Sequence, residues 1–241
     1  MKRISALFIL LCFFTLKSFS ITEKVRIGFT AAPGICWAKP FGKDLNKGKV
    51  RFGIDYGFAV EWWFAKNYGL STGIRGNFNG FNVGGRDAFM DTVLNTTSVN
   101  EKYTFNYIEI PLYLKLKTNA IRGGKFKVFG ELGITLDLAA SSRATYSRAV
   151  FTDSVSSVSV EKENILKKNN EVTKLIPGFW SNFIDVRLGG GLGFEYGFDD
   201  KTSLLVGAYY HNGFINTIFD HDAKKEAIVM RFVSLKMGVL F

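Results

Sequence analysis

The chain has 241 residues, with 31 Lys and Arg against 21 Asp and Glu for a formal charge of +10, and it is rich in Phe (24) and poor in Pro (4). That length suits one domain of sizeable core or one barrel, and no stretch beyond the N-terminus reaches the ~20 apolar residues of a spanning helix, which excludes a helical inner-membrane protein. No basic run with interleaved aromatics occurs, so nucleic acid is not an expected partner.

Residues 1–20 read as a secretory signal. Lys2 and Arg3 form its positive region, Ile4 to Leu16 are largely apolar, and Ser18-Phe19-Ser20 offers small residues for cleavage before Ile21. The mature domain is then 21–241. Without Lys2, Arg3 and Lys17 it keeps 28 basic against 21 acidic residues, or +7. A basic exported chain suits anionic head groups, those of outer-membrane lipid and lipopolysaccharide first. Cys12 leaves with the signal, and Cys36 is expected as a small buried apolar residue.

Eight alternating segments follow, each with two chemically different faces. The first is Val25–Trp37, with Val25, Ile27 and Phe29 opposite Arg26, Gly28 and Thr30. The second, Val50–Phe64, alternates for fifteen residues: Val50, Phe52, Ile54, Tyr56, Phe58, Val60, Trp62 and Phe64 oppose Arg51, Gly53, Asp55, Gly57, Ala59, Glu61 and Trp63. The third, Gly69–Val83, sets Leu70, Ile74 and Phe78 against Ser71, Arg75, Asn77 and Asn79. The fourth, Tyr103–Lys117, and the fifth, Lys125–Ala139, continue the pattern, with Glu109, Pro111, Lys115, Lys127, Glu131 and Asp137 on their polar faces. The sixth, Phe183–Phe198, carries Asp185, Arg187, Gly189, Gly191, Gly193 and Glu195 on one side. The seventh is Ser203–Phe214, and the eighth ends the chain at Phe241. Arg231 interrupts the apolar face of the last strand, predicting a bulge or the membrane edge there.

Links after the second, fourth and sixth strands are short (Ala65–Tyr68, Thr118–Gly124, Asp199–Thr202), whereas the other connections are longer, up to Ala140–Asn182. Short turns on one side and long loops on the other are the outer-membrane arrangement, and an even strand count brings both termini to the periplasm. Bulk decides which face points inward. An eight-stranded interior only just holds its side chains, so rows of Phe, Tyr and Trp must face lipid, and the Gly-rich polar faces must crowd together inside. The fold class is therefore all-β, an eight-stranded antiparallel up-and-down transmembrane β-barrel. Inside it Arg51, Arg75, Lys127, Arg187 and Lys236 are expected to offset Asp55, Glu61, Glu109, Glu131, Asp137, Asp185 and Glu195 in an ion-paired plug. Trp62, Trp63 and Phe64 read as an aromatic girdle near the short turn.

Tyr107-Ile108-Glu109-Ile110-Pro111-Leu112-Tyr113-Leu114-Lys115 resembles the fourth strand of the PorT-like outer-membrane barrel family of Bacteroidetes. The Gly189–Tyr196 strand and terminal Phe241 fit the same family. The resemblance implies a small integral outer-membrane barrel and a namesake that assists type IX secretion, while the C-terminus, through Met237, Val239 and Phe241, resembles the assembly signal read by the barrel-insertion machinery. Pro111 is expected to face inward at a local bulge.

No catalytic, cofactor-binding or metal residue is assigned, and no cofactor is expected. His211 is read as a hydrogen-bonded lumen residue, and His221 between Asp220 and Asp222 as a polar loop of low metal specificity. Gly189-x-Gly191-x-Gly193 keeps strand period without a following helix, which rejects a nucleotide loop. Thr152–Val160 is expected to extend the barrel wall, and Glu161–Leu175 is compatible with a short helix. Asp91-Thr92-Val93 and Asp153-Ser154-Val155 resemble the Bacteroidetes O-glycosylation pattern. The expectation is a monomeric, non-enzymatic barrel with a structural or accessory role and a secretion-system or envelope partner. A surface-binding barrel acting through 140–182 is the second reading, and a lipid-modifying enzyme the third.

Overall fold

The computed structural model describes residues 24–41, 45–86, 98–121, 124–152, 155–166, 179–199, 202–220 and 227–241. The expected leader, His221 with Asp222, and both Asp-Thr and Asp-Ser motifs lie outside them. Twelve strands occupy these residues: β1 (Lys24–Phe41), β2 (Leu45–Lys47), β3 (Arg51–Ala65), β4 (Tyr68–Arg86), β5 (Ser98–Lys117), β6 (Phe126–Thr152), β7 (Val155–Asn164), β8 (Phe179–Ser181), β9 (Ile184–Gly197), β10 (Ser203–Gly213), β11 (Ile218–Asp220) and β12 (Ala227–Leu240).

Eight of them close a barrel in the order β1-β3-β4-β5-β6-β9-β10-β12, with β12 pairing back onto β1. All the pairings are antiparallel. One hydrogen-bonded row starts at Ile27 and passes Val60, Thr72, Leu112, Ile134, Leu188, Asn212 and Arg231. It returns to β1 at Trp37, ten residues beyond its start. A stagger of ten over eight strands sets a tilt of about 40°.

The outer wall is a belt of exposed apolar side chains, among them Phe29, Phe58, Ile74, Leu112, Leu192 and Leu235. The polar faces point inward, as bulk requires. Toward the end bearing the long loops the pattern inverts: Phe81, Tyr103, Phe105, Tyr107, Met230 and Phe232 are buried inside, while Asn82, Lys102, Thr104, Asn106 and Arg231 take the outward positions. The barrel wall continues past its apolar belt and there becomes an ordinary protein, apolar within and polar without. Ile165, Ile218 and Ile228 from the loop-end segments complete this buried cap.

Several expectations need correction. Of the two alternatives expected at Arg231, the bulge is absent, since it sits in continuous register between Trp37 and Asn212, and the edge of the apolar belt is the one that falls there. The irregularities fall at Asn106/Tyr107 and Trp63/Ala65. Pro111 does face inward, yet it pairs with Thr135 without a register shift. The β4–β5 ladder lapses opposite it, at Gly73, whose φ of 154° is open to glycine, and Thr72 Oγ1 donates to the Pro111 carbonyl at 2.7 Å. Residues 161–164 belong to β7 rather than to a helix, and 167–175 lie outside the described residues. Trp63 is buried inside the barrel and leaves the girdle to Trp62 and Phe64. The wall extension expected over Thr152–Val160 is present: β6 and β7 form a hairpin from Arg143–Asn164 to Thr152–Val155.

Candidate functional site

The lumen is where the strands bring chemistry together, and its charges sort into two bands. The lower band lies near the short turns. Arg26 Nη2 donates to Glu61 Oε2 at 2.6 Å and to Glu195 Oε2 at 2.9 Å. Lys115, fully buried, ion-pairs with Glu61 and with Glu131 at 3.4 Å. Lys236 Nζ reaches Glu131 Oε2 at 3.0 Å. Trp63 is buried at this end, its indole N–H donating to Glu61 at 3.1 Å and its ring facing the ammonium of Lys117 at 3.4 Å. Three cations thus meet three carboxylates, Glu61, Glu131 and Glu195.

The upper band lies near mid-strand. Arg187, fully buried, donates to both oxygens of Asp137 and, at 2.7 Å, to Glu109 Oε2. Arg75 ion-pairs with Glu109, and Asn77 donates to Glu109 at 2.7 Å. Asp185 accepts from Thr217 Oγ1 at 3.0 Å. Asp55, 1 % exposed, has both carboxylate oxygens without a hydrogen-bond partner among the described residues. Here two arginines face four carboxylates, Asp55, Glu109, Asp137 and Asp185, so the band carries excess acid.

Between the bands the interior is filled by rings. His211 Nε2 lies 3.0 Å from the Tyr113 hydroxyl, which is 2.6 Å from Thr135 Oγ1. The imidazole stacks with Tyr209 and with Phe232. Tyr209 in turn donates to Glu131 at 2.7 Å. These rings explain the glycine row of β9. A Cβ on Gly189 would run into His211, on Gly191 into the Tyr209 ring at 2.5 Å, and on Gly193 into Phe129 Cζ at 2.6 Å. The row is a packing groove for aromatics.

Most of the predicted inward charges meet here. Arg51 does not: its guanidinium donates to the Tyr103 carbonyl at 2.5 Å and Thr104 Oγ1 at 3.0 Å near the loop end. The β3–β4 pairing begins at Ile54, and the unpaired stretch between it and the loop end lets the side chain cross to β5. Lys127 stays half-buried at the turn-end rim. Arg26 and Lys115 join the set beyond the charges expected from the sequence, and both sit on polar faces of alternating strands. Cys36 is buried in the apolar cap as expected. The aromatic cap itself was missed, and its signal was the reversal of face polarity near Gly80 and Asn106. Among the described residues no group of three His, Cys, Asp or Glu side chains is placed to hold a metal ion.

An eight-stranded closed barrel with an apolar outer belt and an ion-paired, ring-filled lumen is an integral outer-membrane barrel. The chain belongs to the outer membrane protein beta-barrel domain family, whose model matches residues 18–219. It is similar to the solved structure of Ail, the attachment invasion locus protein of Yersinia pestis (11% identity, 90% of this chain and 99% of that one, TM-score 0.39). It is similar also to Neisserial surface protein A (12%, 88% and 95%, 0.40) and to OprG of Pseudomonas aeruginosa (14%, 89% and 95%, 0.40). Resemblances of that size carry no argument about role. No curated protein matches the chain.

Proposed function

We propose that this protein is a non-enzymatic, sealed barrel that serves the outer membrane as a structural or accessory component. The observation that supports this reading most is the filling of the lumen. His211, the inward base that a lipid-modifying or proteolytic site would call on, is 3 % exposed and clamped between Tyr209 and Phe232. Above it lies the buried aromatic cap and below it the buried Trp63. The likeness of Tyr107–Lys115 to PorT-like barrels supports the finer proposal, an accessory role in type IX secretion or envelope assembly, with both termini periplasmic. Terminal Phe241 fits recognition by the insertion machinery. Affinity capture of the tagged protein from native membranes tests it: a stoichiometric envelope or secretion-complex partner is expected, and recovery of the barrel alone would overturn the accessory role. His211→Ala should leave the lipid A mass spectrum unchanged; an altered spectrum would restore the enzyme reading.

A second reading, surface binding through the 140–182 region, is favoured by the β6–β7 hairpin. β6 runs 27 residues, well past the apolar belt, and among the described residues β7 pairs with β6 and no other strand. An edge strand held outside the membrane is a template for strand addition. Deleting 145–162 should abolish host-cell or ligand attachment if this reading holds, and leave insertion intact.

A further inference from the structure

The outer wall carries a furrow of about 840 Å³ whose lining is almost wholly apolar. Its floor is made of small residues, Ala31, Gly57, Gly76 and Gly238, and its walls of Phe29, Tyr56 and Phe58. The register shows how it runs. One row joins Leu204, Val239, Phe29, Phe58 and Ile74. The next joins Met237, Ala31, Tyr56, Gly76 and Ile108. Because rows climb as they pass from β10 toward β5, the furrow rises roughly 20 Å along the wall, more than the ~15 Å of one hydrocarbon leaflet.

What stands above its upper end is basic. Outward on β5, beyond Ile108, come Asn106, Thr104 and Lys102. Thr104 pairs with Arg143 on β6 and receives the Arg51 guanidinium at 3.0 Å. Lys102 and Arg143 are exposed, and Arg51 is half-exposed. Three basic residues therefore surround Thr104 where the apolar belt ends: Arg51 in contact with its hydroxyl, Arg143 opposite it in register and Lys102 two residues along the same strand. An Arg guanidinium offers a planar donor fork suited to phosphate, and an ammonium adds a point charge.

We infer that this face is a binding site for a phosphorylated, multiply acylated glycolipid of the outer leaflet, lipid A in chemistry. Arg51, Lys102 and Arg143 take a phosphate beside Thr104, and one acyl chain lies in the furrow between Phe29, Tyr56 and Phe58. The site rests on the reading that the loop end faces outward; the furrow and the cations themselves do not. A furrow floored by Gly and Ala and flanked by rings grips a chain along its length, which a uniformly bulky belt does not.

The test uses the full barrel purified in mild detergent, with folding checked by its heat-dependent gel shift. Native mass spectrometry is run with added lipid A, phosphatidylglycerol or phosphatidylcholine. One lipid A should be retained. The triple variant R51Q/K102Q/R143Q should bind it roughly a hundredfold more weakly, each basic residue near an anionic surface counting for about fivefold. Ala31→Phe fills the furrow at constant charge and should also lower retention while the gel shift persists. Equal retention of phosphatidylcholine, undiminished binding by the triple variant, or a preference for phosphatidylglycerol would each overturn the inference. Orientation is read separately: Lys102→Cys should react with an impermeant maleimide on intact cells. Lack of labelling would overturn the outward loop end, and with it lipid A as the partner, while the in-vitro affinities would still report on the phosphate and chain contacts.

Discussion

The lower and upper charge bands both set buried cations against carboxylates at comparable burial, yet they are solved differently. Near the turns, Arg26, Lys115 and Lys236 share Glu61, Glu131 and Glu195 so that cation and carboxylate numbers match. At mid-strand, Arg75 and Arg187 hold Glu109 and Asp137, while Asp55 is left with partnerless oxygens. Burying an ion pair is close to neutral when its geometry is complete and costly when one member lacks a partner. The lower band is thus paired carboxylate for cation, and the upper band holds an excess of buried acid that its two arginines keep together.

Removing the keystone of the acid-rich band should have the largest effect. Arg187→Met leaves Glu109 and Asp137 short of donors, and urea unfolding in lipid vesicles should show a loss of about 4 kcal/mol or failure to insert. Next, Glu61→Gln in the balanced band strips a carboxylate from both Arg26 and Lys115; a loss of about 3 kcal/mol in the same assay is expected. Gly191→Ala drives a methyl into the Tyr209 ring and should cost about 2 kcal/mol by overpacking, read as a lowered midpoint of the heat-dependent gel shift. The smallest change carries the sharpest contrast. Asp55→Asn makes the same acid-to-amide exchange as Glu61→Gln, but relieves an unpartnered charge, so it should stabilise by about 1 kcal/mol. Two losses, one in each band, would erase the distinction.

The barrel was legible because each strand separates two environments at a period of two, and the eight segments predicted overlap the eight strands that close it. What escaped notice is where that environment changes. β4, β5 and β6 run on to Arg86, back to Ser98 and out to Thr152. Beyond the apolar belt their outward positions turn polar, and a search for one fixed polarity stops early. Trp63 was misplaced for a related reason: aromatic identity suggested the girdle, while its parity with Glu61 put it inside. The ion pairs were legible as a set of residues, and their partners were not. Register shift around the barrel decides that Lys115 meets Glu61, 54 positions away, and Arg187 meets Glu109, 78 positions away. The Arg51 exception depends on a ladder gap that no periodicity announces.

The reversal of face polarity has a mechanical consequence. It draws a waterline on the wall, marked by Asn106 and Arg231. Sinking the barrel by two residues would drag these groups into hydrocarbon, and raising it would bare Phe52, Phe78 and Ile108 to water. The molecule therefore floats at a set draught, and a thicker bilayer must thin around it or tip it over, at fractions of a kcal/mol per Å.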